Sequence, residues 1–142
     1  MATSKSPKEL IDNLYAAIKA KDFDLIREVC DPDIDWIQNK GFPGAHRCHG
    51  IEDVITKVIQ GFGREWETFT FQPEEMIGAG DCVVVLGRYR GRHRATGHKL
   101  DAAAAHVYDI KDRRIARFRQ YTDTHDIVLT MQPDSGREGH SD

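Results

Sequence analysis

Residues 100–123, LDAAAAHVYDIKDRRIARFRQYTD, constrain this chain more than any other stretch. They read as two long strands joined by a tight charged turn, Lys111-Asp112-Arg113-Arg114, with β-branched and aromatic residues on both sides. Side chains alternate between the faces of a strand. His106 and Tyr108 therefore share one face of the first strand, and Phe118, Gln120 and Thr122 share one face of the second. Ala103, Ala105 and Val107 take the opposite face of the first, and Arg117, Arg119 and Tyr121 that of the second. A polar pair, His106 and Gln120, thus stands among apolar positions. It is a catalytic pair, a ligand-binding pair or a purely structural one.

The rest of the chain supplies helices and more strands. Ser6-Pro7-Lys8-Glu9 is a capping box with proline at the first helical position, predicting a helix to about Lys21. Leu10, Ile11, Leu14, Tyr15 and Ile18 form its apolar stripe. Asp22 can cap a short second helix, which Asp31-Pro32 ends. Residues 34–38 alternate as a strand, with Ile34, Trp36 and Gln38 on one face. A loop over residues 39–49 follows, then a third helix after Gly50 that Gly61 and Gly63 are expected to end. Residues 68–72 and 75–79 read as two short strands broken by Pro73, and residues 82–91 as a strong one. Residues 96–110 and 115–123 complete the set, with a last helical turn at Ile127, Val128 and Leu129. The tail, residues 132–142, is polar and glycine-rich and is expected to be disordered, leaving a single domain over residues 1–131.

Helices first and antiparallel strands after make an α+β design. Its form would be a cone-shaped curved antiparallel sheet wrapped around the three helices, with an apolar cavity inside. The helices cover one face only. The small, flat Ala103, Ala105 and Val107 suit packing against a second sheet, so a homodimer through the outer sheet face is expected.

At 142 residues the chain can bury a real core. Its net charge of −3 argues against a nucleic-acid partner. No apolar run reaches membrane-spanning length and the N-terminus has no signal-peptide core, so no membrane partner is expected. Three cysteines, Cys30, Cys48 and Cys82, are an odd number in no metal-like spacing and fit a reducing, cytoplasmic setting. His46 and His49 flank Cys48 in a glycine-rich loop without a second ligand cluster nearby, so no metal or other cofactor is expected.

Four stretches carry a family resemblance: YAAIKAKDFDLIREVCDPDIDW, GFPGAHRCHGIEDVI, GRYRGRHRATGHKLDAAAAHVYDI and RIARFRQYTDT. Together they resemble the nuclear transport factor two-like superfamily, and within it the SnoaL-like branch related to polyketide cyclases and ketosteroid isomerases. The resemblance covers roughly residues 7–130. It implies a cone-shaped α+β barrel, a deep pocket for an apolar small molecule and a homodimer. It also brings three catalytic templates. The polyketide cyclase template places its histidine at His106 and its aspartate acid/base at Gln120, with Asp123 the nearest acid. A glutamine forms hydrogen bonds but exchanges no proton at neutral pH. The ketosteroid isomerase template places its oxyanion tyrosine at Leu14, one residue from Tyr15 and so about 100° away around the helix, and its base near Ile37, close to Asp35. The limonene epoxide hydrolase template falls on Arg88-Tyr89-Arg90, with arginine in place of aspartate, and again on Gln120.

Two functions from different classes follow. The first is proton-transfer chemistry on an apolar ketone (isomerisation, cyclisation or dehydration) with His106 as acid/base, Gln120 as its partner and Asp123 in reserve. The second is a non-catalytic binder of an apolar small molecule, or a dimeric interaction module with a filled cone. Candidate ligand-binding residues are Tyr15, Trp36, Gln38 and Phe62, with Tyr108 and Phe118 on the hairpin. Arg88 and Arg90 share a face. They either bind a carboxylate or enolate or reach solvent at the rim.

Overall fold

The computed structural model describes residues 6–44 and 46–134. The Ser6 hydroxyl accepts from the Glu9 amide at 3.2 Å and the Glu9 carboxylate accepts from the Ser6 amide at 2.8 Å. This capping box opens α1, Pro7–Ala20. Lys21, left-handed at φ 56°, ends it, and Asp22 caps α2, Phe23–Val29, through the Leu25 amide. Strands β1, Cys30–Ile37, and β2, Arg47–His49, follow. Next comes one continuous helical rod in three parts: α3, Ile51–Val54, a π-helical stretch Ile55–Ile59, and α4, Gln60–Glu65. The long strands are β3, Trp66–Ala79, β4, Cys82–His93, β5, Lys99–Lys111, and β6, Arg114–Thr122. Helix α5, Thr124–Met131, closes the described chain.

The six strands form one sheet in the order β2-β1-β6-β5-β4-β3. β1 runs parallel to β6 and every other neighbour is antiparallel. The expected α+β architecture is therefore present, a curved sheet with helices on its inner face. The hairpin turn has φ 52° at Asp112 and φ 64° at Arg113, which matches the right-handed twist of β5 and β6. His106 then lies directly opposite Gln120, and Tyr108 opposite Phe118. Leu10, Ile11 and Leu14 of α1 and Val54, Ile55 and Val58 of the rod bury against Ile34, Trp36, Val83, Val85, Tyr108 and Phe118. A second cluster of Phe42, Trp66, Tyr89, Leu100 and Ile127 fills the end that α5 covers, and Phe62 and Phe71 touch both.

Three expectations need correction. Residues 66–79 are one strand, because the register shift between Pro73 and Glu75 accommodates the proline within it. The rod continues past Gly61 and Gly63 to Glu65, since the buried Trp66 anchors the chain beyond it. The loop contains a short strand, β2, paired to β1 at Asp35, Trp36 and Ile37. Of the tail expected to be disordered, residues 135–142 lie outside the described residues. Asp134 is described and meets His98 at 2.6 Å.

Gly87, on the inner face of β4, lets β3 come close. A Cβ there would collide with the Gln72 carbonyl oxygen and stand 2.8 Å from Phe71 Cζ. Gly87→Val is therefore expected to push the β3 backbone at Gln72 away from β4 and to displace Phe71, destabilising the protein by at least the ~1–3 kcal/mol usual for overpacking, read as a lower urea midpoint.

Candidate functional site

A polar island sits inside the cone. His106 is 4% exposed. Its ring stacks on Phe71 at 4.0 Å between centroids and meets Phe118 edge-on at 4.9 Å. A buried imidazole needs partners for both nitrogens. Here Nδ1 meets the Tyr15 hydroxyl at 2.9 Å and Nε2 meets the Tyr89 hydroxyl at 2.6 Å. Tyr108 donates to the Tyr15 oxygen at 3.0 Å and lies 3.4 Å from His106 Nδ1. Gln120 donates through Nε2 to Tyr89 at 2.7 Å and accepts at Oε1 from the Asn39 amide at 3.1 Å. That backbone donor fixes which way the glutamine amide points.

The island is electrically neutral. Burial alone pushes the His106 imidazole down to about 3, since no described charged group faces it. Burial likewise raises the Tyr15, Tyr89 and Tyr108 hydroxyls above their ordinary value. Near neutral pH the cluster is an uncharged imidazole among intact phenols. Such a set can hydrogen-bond a carbonyl and relay a proton, but it is a weak base.

Sequence parity put His106, Gln120, Tyr108 and Phe118 together, and all four face the cone. Tyr15 also points inward and reaches His106, although the ketosteroid isomerase template turned it away. Trp36 is buried and stacks on Phe118 at 3.8 Å. Its indole N–H donates to the buried Gln38 Oε1 at 3.5 Å. Phe62 stacks on Phe69 at 4.3 Å. Asp123 is outside the cone: it caps α5, accepting from the Asp126 amide at 3.3 Å. Arg88 and Arg90 are on the outer face and pair with Asp101 at 2.6 and 3.7 Å, so neither is a pocket anion site.

The missed residue is Tyr89. Val83, Val85, Gly87 and Tyr89 alternate with Val84, Leu86, Arg88 and Arg90, and only the first set is buried. The arginine pair marks the solvent face, which leaves the tyrosine between them inside. His93, on the same face of β4 as Tyr89, is also buried. It meets Glu65 at 3.0 Å and packs on Trp66. Among the described residues no group of three His, Cys, Asp or Glu could hold a metal ion, and no helix is long and apolar enough to cross a membrane. The Cys30 thiol is buried and pushed up to about 12.

A cleft of ≈ 350 Å³ opens beside the cone between the α4 turn and the loop before β2. Gln38, Val58, Phe62 and Trp66 form its floor, with Lys57 and Arg64 at its edge. Phe42 stands 5.9 Å from both Phe62 and Tyr89, so an aromatic layer separates the cleft from the polar island.

A family model described as a SnoaL-like domain matches residues 11–118. An NTF2-like protein of Burkholderia thailandensis is 32% identical, with a TM-score of 0.86 over 91% of this chain and 99% of that one. IdmH of Streptomyces antibioticus, a candidate polyketide cyclase, is 20% identical, with a TM-score of 0.76 over 89% and 99%. TerC, crystallised with polyporic acid, is 22% identical, with a TM-score of 0.79 over 89% and 98%. The last two likenesses establish the fold alone. No curated protein matches the sequence.

The buried histidine generates a pH prediction. Its folded value lies below the unfolded value of about 6.5. The stability it contributes is therefore complete above pH 6.5 and is lost as pH falls toward 3, by up to about 1.4 kcal/mol per pH unit. Urea unfolding at pH 7, 6 and 5 should show this slope, and His106→Gln should flatten it.

Proposed function

The chain belongs to the family of SnoaL-like domains, and from that membership and the geometry of its cone we propose that it binds an apolar, ketone-type small molecule. The observation that carries this reading is the island itself, five neutral hydrogen-bonding side chains converging inside an apolar cone with no carboxylate among them. Apolar walls supply affinity through burial, and a few convergent polar groups supply orientation. The neighbouring cleft of ≈ 350 Å³, at the lower end of ligand sites, is the entrance this reading uses, and a compact molecule reaches the island from it by displacing Phe42. The neighbour crystallised with polyporic acid supports a small organic ligand over a macromolecular one.

Isomerisation, cyclisation or dehydration would need a base strong enough to take a carbon-bound proton. His106, held down to about 3, is a poor one, and Gln120 is none. Binding and polarisation of a carbonyl are therefore favoured over proton abstraction. The experiment incubates the protein with a panel of apolar ketones and follows both melting temperature and ligand mass. A ketone at one hundred times its Kd should stabilise the protein by about 2.7 kcal/mol and be recovered unchanged. Recovery of a rearranged or dehydrated product would favour the enzymatic reading, with loss of that turnover in His106→Ala assigning it to the island. No stabilisation by any ketone would sink the proposal.

We infer also that two copies pair through the outer sheet face. Leu86, Ala105, Val107 and Tyr121 form an apolar strip there, and the neighbouring Arg88, Arg117 and Asp109 are already ion-paired within the chain. An exposed apolar strip whose flanking arginines are engaged with Asp101 and Asp109 of the same chain suits a second copy of itself. Light scattering should report twice the chain mass, and Tyr121→Glu should reduce it to the monomer.

A further inference from the structure

We propose that Tyr89 is the group that meets the ligand's oxygen, and that His106 positions it by choosing its tautomer. The inference rests on the ketone-binding reading and follows from a count of protons. Tyr108 uses its hydroxyl proton on the Tyr15 oxygen. Gln120 uses an amide proton on the Tyr89 oxygen, because the Asn39 amide holds its carbonyl the other way. Neutral His106 carries one ring proton and offers one bare nitrogen. It therefore donates to one tyrosine and accepts from the other.

Two arrangements satisfy these bonds with the same number of protons. With the ring proton on Nδ1, His106 donates to Tyr15 and Tyr89 donates to Nε2. The Tyr15 proton is then surplus. With the ring proton on Nε2, His106 donates to Tyr89 and Tyr15 donates to Nδ1. The Tyr89 proton is then surplus. Every other polar atom of the island is satisfied in both. One hydroxyl proton always has no acceptor within the cluster, and the tautomer decides which end of the cone presents it.

The Tyr89 end is the one nearer the cleft. Its ring touches Phe42 and Phe69, and these meet Phe62, which lines the cleft. A molecule that displaces Phe42 inward from the cleft reaches the Tyr89 hydroxyl first. The Tyr15 end lies against α1 and Tyr108, away from the cleft. An acceptor oxygen at Tyr89 selects the Nε2–H tautomer. An oxygen acceptor such as a ketone or quinone carbonyl takes the Tyr89 proton in this form, whereas a group that only donates would favour the Nδ1–H form, in which the Tyr89 oxygen accepts from Gln120 alone.

Two probes of one shape test this: 2-acetylnaphthalene, which accepts a hydrogen bond, and 2-ethylnaphthalene, which does not. Dissociation constants are measured on the full chain and on Tyr89→Phe. The ketone should lose about threefold to tenfold affinity in the variant, the range of one neutral hydrogen bond, and the hydrocarbon should lose nothing. Nitrogen-15 spectra of histidine-labelled wild-type protein give a second readout that needs no variant. With the ketone bound His106 should be in the Nε2–H form, and the hydrocarbon should leave the tautomer of the free protein unchanged. Equal losses for both probes, or an Nδ1–H tautomer with ketone bound, would overturn the role of Tyr89 while leaving the cone as a binding site. Failure of both probes to bind wild type would overturn the ketone-binding reading and this inference together.

Discussion

The structure depends on one constraint: an uncharged imidazole buried among rings must have both nitrogens hydrogen-bonded. Each partner comes from a different part of the chain. Tyr15 comes from α1, Tyr89 from β4, Tyr108 from β5 and Gln120 from β6, and Gln120 is itself held by the Asn39 backbone. The apolar helix faces supply the bulk of the burial, which is non-directional. The bonds to His106 add direction. They set how α1 lies against the sheet and how the loop after β1 lies against β6. A buried polar network that is fully satisfied specifies one arrangement of the core more sharply than apolar contact does.

Much of the fold was legible because it rests on local, periodic signals. The capping box at Ser6, the apolar stripe of α1 and the alternation along β5 and β6 all appear where the residues put them. What was not legible depended on tertiary context. Pro73 reads as a strand breaker, yet an irregularity in the β3–β4 pairing absorbs it. Gly61 and Gly63 read as a helix end, yet each costs a helix only about 1 kcal/mol, and the packing on either side outweighs that. The short β2 carries no pattern of its own and exists because β1 is there to pair with it.

The location of the site was more legible than its chemistry. Strand parity alone placed His106 and Gln120 on the apolar faces of their strands, and the pairing register sets them directly opposite each other. Tyr89 was not legible as long as Arg88 and Arg90 left the inner face of β4 undecided. The ordinary rule decides it: unpaired arginines avoid the interior, so the residue between two of them is the inward one. Asp123 could not be placed from sequence, because capping and catalysis ask for the same side chain at the end of a strand.

The π-helical stretch at Ile55–Ile59 has an evolutionary consequence. Wider turns of this kind change the phase of everything that follows them in a helix. A homologue one residue shorter there would turn the α4 turn by about 100° and present a neighbour of Phe62 to the cleft. Those neighbours are Gly61 and Gly63, with no side chain to offer. A single codon gained or lost in this stretch could thus open or shut the way to the cone while the sheet, its hairpin and its buried histidine stayed as they are.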